Sequence, residues 1–152
     1  VIAPSMTEPG GPAWKQTTFH PFALTSRHAK GEVLRVRVDG PTVGSQQFGD
    51  VPAVDAVATW AGSTGAIFLV NRHASEQITA EITLPEGWAL EEAVTLHHED
   101  HNWKASAEDD STVGPEHNGS ARLEGTALTV DLPAISWSML RVKADDGQDE
   151  EA

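Results

Sequence analysis

The chain has 152 residues, of which 39% are apolar, and it carries a formal net charge of −13. This length and composition suit one globular domain with a real core and exclude a disordered chain. The acidic balance disfavours nucleic-acid binding, and no apolar run approaches the roughly 20 residues that a membrane span needs. Cysteine is absent, which excludes disulfides and thiolate sites and fits a cytoplasmic protein.

The first 31 residues combine an apolar strand-like run, a Gly/Pro-rich loop and a helix-like pattern. Residues 1–4 form the apolar run, and the spacing of apolar residues predicts a helix over 17–29. Gly31 is its expected stop, and Pro21 belongs to its first turn or kinks it. Strand, loop and helix in this order form the unit from which (β/α)8 barrel enzymes build their active-site face. We therefore expect residues 1–31 to be the last part of a barrel that begins upstream of this chain.

From residue 32 onward the pattern is one of short strands. Apolar or alternating runs between turn residues predict strands over 33–38, 51–60, 66–71, 78–84, 90–98, 127–132 and 136–142. The third of these is apolar enough to be buried on both faces, whereas the fourth alternates and predicts one wet face. This spacing predicts a mainly β fold, an antiparallel β-sandwich of jelly-roll-like form, over residues 32–143. Five acidic residues lie in 144–152, which we expect to be a disordered tail.

The opening block also carries a family resemblance. Its residues are Val1-Ile2-Ala3-Pro4, Met6-Thr7-Glu8, Gly10-Gly11, Ala13-Trp14, Gln16-Thr17, Phe19 and Pro21-Phe22. This block resembles the eighth strand, active-site loop and eighth helix of the catalytic barrel in α-L-arabinofuranosidases of glycoside hydrolase family 51. Weaker similarities follow at Gly49-Asp50-Val51-Pro52, Val54-Asp55-Ala56, Val70-Asn71-Arg72, Leu132-Pro133-Ala134 and Ser136-Trp137.

The resemblance implies a retaining glycosidase that removes terminal arabinofuranosyl residues from arabinoxylan, arabinan or their oligosaccharides. Both catalytic glutamates of such an enzyme lie upstream, so the resemblance implies no catalytic residue, cofactor or metal in this chain. It implies that the isolated chain is inactive, that its partner is the rest of the barrel, and that the whole enzyme is a cytoplasmic homo-oligomer.

One sugar-binding residue of the family maps onto this sequence, and it is Gln16. By analogy its amide hydrogen-bonds a hydroxyl of the arabinofuranosyl unit, a role that suits a group able to donate and accept without titrating. Lys15 and His20 stand where the family usually has arginine and tyrosine, and Ser5 replaces a common apolar residue. These departures leave Gln16 unchanged. Trp14, in the same loop, is a weaker candidate for the pocket wall.

Two acidic or histidine-containing features invite rival interpretations. Glu8 is the carboxylate nearest the loop, but it lacks a partner glutamate, and an exposed loop residue is the favoured interpretation. On a strand, His97, Glu99 and His101 would share a face and resemble a metal site. That segment runs into a polar loop in which 108–110 has the character of a solvated surface, so we expect no metal there.

The alternative class of function is a non-catalytic accessory domain, either carbohydrate-binding or structural. Five tryptophans favour it, because flat rings stack on sugars. Trp60 and Trp137 lie in strand patterns and are expected in the core, and Trp88 is expected at a sheet edge. Trp103 lies in the polar loop and is the best candidate for an exposed sugar-binding ring.

Overall fold

A computed structural model describes residues 3–144, and almost all of its regular elements are short strands. The elements are β1 Ser5–Thr7, β2 Ala13–Lys15, α1 Phe19–His28, β3 Glu32–Leu34, β4 Thr42–Ser45, β5 Gly49–Pro52, β6 Val54–Ala61, β7 Thr64–Asn71, β8 Ile78–Thr83, β9 Trp88–Leu96, β10 Glu116–His117, β11 Arg122–Glu124, β12 Ala127–Leu132 and β13 Ser136–Ala144. The mainly β fold that the sequence predicts is confirmed.

Two antiparallel sheets form the main part of the chain, and residues 32–144 are called the two-sheet body below. The larger sheet has the order β10-β9-β13-β7-β6-β3, and the smaller has the order β11-β12-β8. Every second residue of β12 points toward the larger sheet, because side chains alternate between the faces of a strand. The shared core consists of Val54, Ala58, Ile67, Leu69, Leu84, Ala93, Leu128, Val130, Leu132, Leu140 and Val142.

Strand β7 is buried on both faces, as its continuous apolar run predicts. Ile67 and Leu69 enter the core between the sheets, whereas Phe68 joins Met139 in a second cluster on the outer face of the larger sheet. Leu24 of α1 packs against that second cluster. The helix therefore lies on the outside of the larger sheet, and this contact attaches the first part of the chain to the two-sheet body.

The helix agrees with the sequence prediction to within two residues at each end. It begins after Thr18, and Pro21 occupies its first turn, where the missing N–H leaves no intrahelical hydrogen bond unmade. Gly31 ends the segment with φ 75°, and a Cβ there would stand 1.9 Å from the Trp60 carbonyl oxygen. Only glycine fits at this close approach between the helix exit and β6.

Strand β8 has the predicted single wet face, with Ile78, Ala80 and Ile82 half-buried against the core and the residues between them exposed. The predicted strand over 33–38 stops at Leu34, the last residue that β3 pairs with β6. Val36 and Val38 are 39% and 38% exposed. An alternating sequence alone was insufficient here, because a strand also needs a hydrogen-bonding neighbour.

Other differences concern strand boundaries and short strands. The predicted strand over 51–60 is two strands, divided at Ala53, whose N–H donates to Pro41 and whose carbonyl accepts from Arg72. The short strands β4, β5, β10 and β11 were not predicted as separate elements. Their few apolar residues give no periodic signal.

The opening loop contains a hairpin that the sequence pattern did not indicate. In it, β1 pairs with β2 in antiparallel register, from Ser5 opposite Lys15 to Thr7 opposite Ala13. The expected barrel strand over 1–4 falls partly outside the described residues, and Ala3 and Pro4 are not in a strand. The expected tail also lies outside them, except that Ala144 ends β13. Within residues 3–144 no helix is long and apolar enough to span a membrane.

Candidate functional site

The candidate site is the turn that follows the β1–β2 hairpin. The hairpin closes through two backbone hydrogen bonds, Glu8 N–H to the Pro12 carbonyl at 3.1 Å and Gly11 N–H to the Glu8 carbonyl at 3.0 Å. Gly10 takes φ 69°, a left-handed conformation that a tight turn requires. The Gln16 N–H then donates to the Pro4 carbonyl at 2.9 Å, which holds the two ends of the hairpin together.

Gln16 is half-buried, and its side chain reaches from the opening loop to the two-sheet body. Its Nε2 donates to the Ala105 carbonyl oxygen at 3.4 Å, a long and therefore weak hydrogen bond. No residue within 3–144 hydrogen-bonds the Oε1 atom. An amide that makes only this contact keeps its oxygen as an acceptor and its second N–H as a donor, the pair that binds a sugar hydroxyl.

The segment 105–113 supports this turn from the other side. Asp110 accepts the Lys15 backbone N–H at 3.1 Å, one residue before Gln16. Asp109 shapes the segment by accepting the Thr112 hydroxyl at 2.6 Å and the N–H groups of Thr112 and Ser111. The hydroxyl of Thr112, followed by its N–H, lowers the pKa of Asp109 below its ordinary value. The carboxylate is therefore the form that orders this segment.

The charge around the turn is set by Lys15, His20 and Asp110. Burial lowers the pKa of His20, the nearby Lys15 lowers it further, and Asp110 opposes the shift. The Lys15 ammonium lies 5.2 Å from the centre of the Phe19 ring, within cation–π range. His20 is therefore biased toward its neutral form, and the positive charge beside Gln16 comes from Lys15.

A comparison with protein families decides which group this site belongs to. The family model described as the α-L-arabinofuranosidase C-terminal domain matches residues 1–136, which include the hairpin, Gln16 and most of the two-sheet body. The chain belongs to the α-L-arabinofuranosidase C-terminal domain family.

Curated relatives agree with this family assignment. The chain is 43% identical over 150 residues to an exo-α-(1→6)-L-arabinofuranosidase of Bifidobacterium longum, covering 94% of this chain and 28% of that protein. It is 37% identical over 146 residues to an intracellular exo-α-(1→5)-L-arabinofuranosidase of Halalkalibacterium halodurans, covering 93% and 29%. The chain thus spans less than a third of the length of the curated relatives that it matches.

Solved structures of α-L-arabinofuranosidases have the same fold in the matching region. A family 51 enzyme of Bifidobacterium longum superposes with a TM-score of 0.86 at 40% identity, covering 93% of this chain and 28% of that one. The family 51 arabinofuranosidase of Xanthomonas axonopodis pv. citri gives a TM-score of 0.77 at 26% identity, covering 89% and 28%. The two-sheet architecture is therefore that of arabinofuranosidase C-terminal regions.

The other residues singled out from the sequence lie apart from Gln16. Glu8 is exposed at the hairpin turn. The rings of His97 and His101 are 6.2 Å apart, and within residues 3–144 no three His, Asp or Glu side chains form a group that could hold a metal. Trp14 is half-buried in β2, and its Nε1 has no hydrogen-bond partner among the described residues.

The four remaining tryptophans each lie close to another aromatic ring. Trp60 stacks on Trp88 with centroids 3.7 Å apart at the edge of the core, and Trp137 lies 6.0 Å from Phe68 on the outer face of the larger sheet. Trp103 is half-buried rather than freely exposed. Its centroid is 6.0 Å from that of His98.

The sequence does not indicate that Ala105 contacts Gln16 or that Asp110 contacts the neighbouring Lys15. Ala105 contributes only its backbone carbonyl, which leaves no signal in a side-chain pattern. Asp109 and Asp110 stand in an acidic run that was interpreted as solvated surface, but both are half-buried and hydrogen-bonded. The cluster Asp109-Asp110-Ser111-Thr112, residue types that form side-chain-to-backbone turns, is the signal that could have indicated an ordered loop.

Proposed function

We propose that this chain is the C-terminal portion of a retaining α-L-arabinofuranosidase that removes terminal arabinofuranosyl residues from arabinan, arabinoxylan or their oligosaccharides. The family assignment supports the activity class. The observation that carries the site is the Gln16 amide, which contacts the Ala105 carbonyl and keeps an acceptor and a donor for a sugar hydroxyl.

The same proposal assigns separate roles in binding and bond cleavage to this chain and to the upstream barrel. Residues 1–31 end the (β/α)8 barrel, residues 32–144 form a jelly-roll-like sandwich that ends with β13, and the acidic sequence 145–152 follows it. The two glutamates of a retaining glycosidase stand about 5 to 5.5 Å apart across the glycosidic bond, and both belong to the upstream barrel. This chain contributes binding rather than bond cleavage. The whole enzyme is a cytoplasmic homo-oligomer without a metal or organic cofactor.

The role of Gln16 is tested in the intact enzyme by Gln16→Ala. We expect kcat/KM on an aryl arabinofuranoside to fall about 5- to 150-fold, because a hydrogen bond to a substrate hydroxyl contributes about 1 to 3 kcal/mol in the transition state. Gln47→Ala, an exposed glutamine between β4 and β5, is the matched control and should leave the rate unchanged. An unchanged rate in Gln16→Ala would remove this residue from the binding site.

The absence of catalytic glutamates from this chain is tested separately. The purified 152-residue chain should not hydrolyse the aryl arabinofuranoside, whereas the intact enzyme should. Turnover by the isolated chain that survives repurification would contradict the proposed division of labour.

A further inference from the structure

An open groove of about 700 Å³ lies between the two sheets at the edge of the two-sheet body. One wall is β8, the last strand of the smaller sheet, and the other is segment 35–41, which follows β3 at the edge of the larger sheet. The inner side consists of core residues of β6 and β7, among them Val54 and Ile67. We call it the β8 groove. All the residues that line it lie in the two-sheet body, and none belongs to 1–31.

The core is less completely covered at this groove than beneath β12. Val54 and Ile67 each keep 8% of their surface exposed, whereas Leu128 of β12 is fully inaccessible. The two sheets explain the difference, because the larger sheet has six strands and the smaller has only three. The smaller sheet ends at β8, and the groove leaves part of the inner face of β6 open beyond it. One further strand beside β8 would complete this cover.

The free edge of β8 carries backbone groups that point away from β12. Antiparallel strands bond through alternate residues, and directly after β8 the Leu84 N–H donates to the Thr126 carbonyl at 2.8 Å. The even-numbered residues of β8 therefore bond to β12, whereas the N–H and carbonyl groups of Thr79, Glu81 and Thr83 point to the other side. Within the described part of the chain no strand pairs with that side. Such a row of unpaired groups is a template for another strand.

The opposite wall has the sequence of a strand but no strand beside it. The sequence predicts a strand over 33–38, yet pairing with β6 ends at Leu34. Among the described residues, the backbone over 35–40 makes no backbone hydrogen bond. Val36 and Val38 alternate along this wall and are only partly buried. An added strand would therefore meet unpaired backbone at both walls of the groove.

These features select extended polypeptide with apolar side chains at alternate positions. Its backbone would pair with the free edge of β8, and its apolar side chains would face the core, because successive side chains of a strand point to opposite faces. Residues 145–152 do not have this pattern, since Ala152 is the only apolar residue among them. The occupant therefore comes from outside this chain.

A second copy of the chain fits less well than another part of the same polypeptide. Two β8 edges paired around a two-fold axis at Glu81 would place the two Glu81 carboxylates opposite each other, and like charges in that position destabilise a pair of strands. Each copy also carries a net charge of −13. The chain spans less than a third of the length of its curated relatives, and a segment of the same polypeptide would be tethered near the groove at high effective concentration.

We propose that the β8 groove receives an extended segment from the part of the whole enzyme that lies outside these 152 residues. The segment pairs with the free edge of β8 and places its apolar side chains over β6. The source of the segment rests on the proposed function, whereas its extended form and apolar pattern follow from the groove. The two-sheet body then takes part of its stability from the rest of the enzyme.

Hydrogen exchange resolved to single amides, measured in the intact enzyme and in the isolated 152-residue chain, tests this pairing. The amides of Thr79, Glu81 and Thr83 should exchange at least about tenfold more slowly in the intact enzyme than in the isolated chain. The amides of Ala80 and Ile82 bond to β12 and are the internal control, protected in both proteins. Equal exchange of the three outward amides in the two proteins would overturn the proposal. Protection in the isolated chain that increases with its concentration would assign the edge to a second copy and would also overturn it.

A proline variant tests the same edge through stability. Glu81→Pro removes one outward N–H and keeps the bonds to β12, and Glu81→Ala is the matched control that keeps the N–H. In the intact enzyme, Glu81→Pro should lower the melting temperature by about 2 °C or more beyond its effect in the isolated chain. Glu81→Ala should act equally in both. A loss in the intact enzyme no larger than in the isolated chain would contradict the pairing. An unchanged rate in Gln16→Ala would count against the proposed function and leave these measurements unaffected.

Discussion

The opening region, residues 3–31, and the two-sheet body are stabilised in different ways. The opening region has no buried residue, and even α1 buries none of its side chains. In the body, Leu128, Leu132, Met139 and Leu140 are fully inaccessible to solvent. The body can therefore hold its shape through its own core, whereas the opening region takes its position from a few contacts with the body. Gln16, the candidate sugar-binding residue, belongs to the opening region, which has no core of its own.

This difference predicts opposite responses to the removal of a large side chain from each region. Leu140→Ala should lower the free energy of unfolding of the chain by about 2 to 5 kcal/mol, because it leaves a cavity in the core. Phe22→Ala in α1, where the ring is 68% exposed, should change it by less than about 0.5 kcal/mol. Urea unfolding of both variants gives the comparison, and equal losses would show that the opening region has a core of its own.

A smaller effect is expected from the contact that joins the two regions. In the intact enzyme, Asp110→Ala removes the acceptor of the Lys15 N–H and should lower kcat/KM about 5- to 30-fold, for a hydrogen bond worth about 1 to 2 kcal/mol. Asp110→Asn keeps a side-chain oxygen as acceptor and should restore most of the activity.

Urea unfolding separates this local role of Asp110 from a role in global stability. Both variants should retain the urea midpoint of the parent protein, since the carboxylate lies outside the core. A lowered midpoint would indicate a purely structural role. Equal loss of activity in Asp110→Ala and Asp110→Asn would show that charge, rather than the hydrogen bond to Lys15, is what matters.

The smallest expected effect is that of pH: lowering the pH should destabilise α1 in the opening region through His20 and His28. The folded state lowers the pKa of His20, chiefly by burial and then by Lys15, and lowers that of His28, chiefly by burial and then by Arg141. The unfolded chain therefore binds protons first as pH falls through the ordinary value of 6.5. The free energy of unfolding therefore declines as the pH falls from about 6.5 to the lower pKa that each histidine has in the folded state. Above that window these groups do not affect stability.

The double variant His20→Gln/His28→Gln isolates this contribution. Hydrogen exchange of α1 between pH 7.5 and 5 should increase in the parent chain more steeply than in the double variant, after correction for the intrinsic exchange rate. Core strand β12 should show the same pH response in both. An identical slope for α1 in the two proteins would exclude the histidines as the cause.

The strands of the body could largely be predicted from the sequence, because their side-chain periods report burial. The apolar run of β7 and the alternation of β8 both correspond to their observed faces. Periodicity does not identify partners, so the strand predicted over 33–38 continued past the last residue that pairs with β6. A strand forms only when a second segment hydrogen-bonds to it, and a local sequence pattern does not identify that second segment.

The candidate site could be predicted only in part for a related reason. The resemblance of the opening block pointed to Gln16 but not to what orients it. The contacts to Gln16 and Lys15 span 89 and 95 residues and end on a backbone carbonyl and on one carboxylate of an acidic run. Such long-range contacts carry no local periodicity, and the structure was needed to place segment 105–113 against the opening loop.

The central claim is that the two-sheet body holds the Gln16 loop in place, and hydrogen exchange of the Lys15 backbone amide tests it most directly. In the parent chain this amide should be protected, because it donates to Asp110 at 3.1 Å. Asp110→Ala should abolish that protection while the amides of β7 and β13 keep theirs. A Lys15 amide that exchanges freely in the parent chain, or one that is equally protected in Asp110→Ala, would contradict the account.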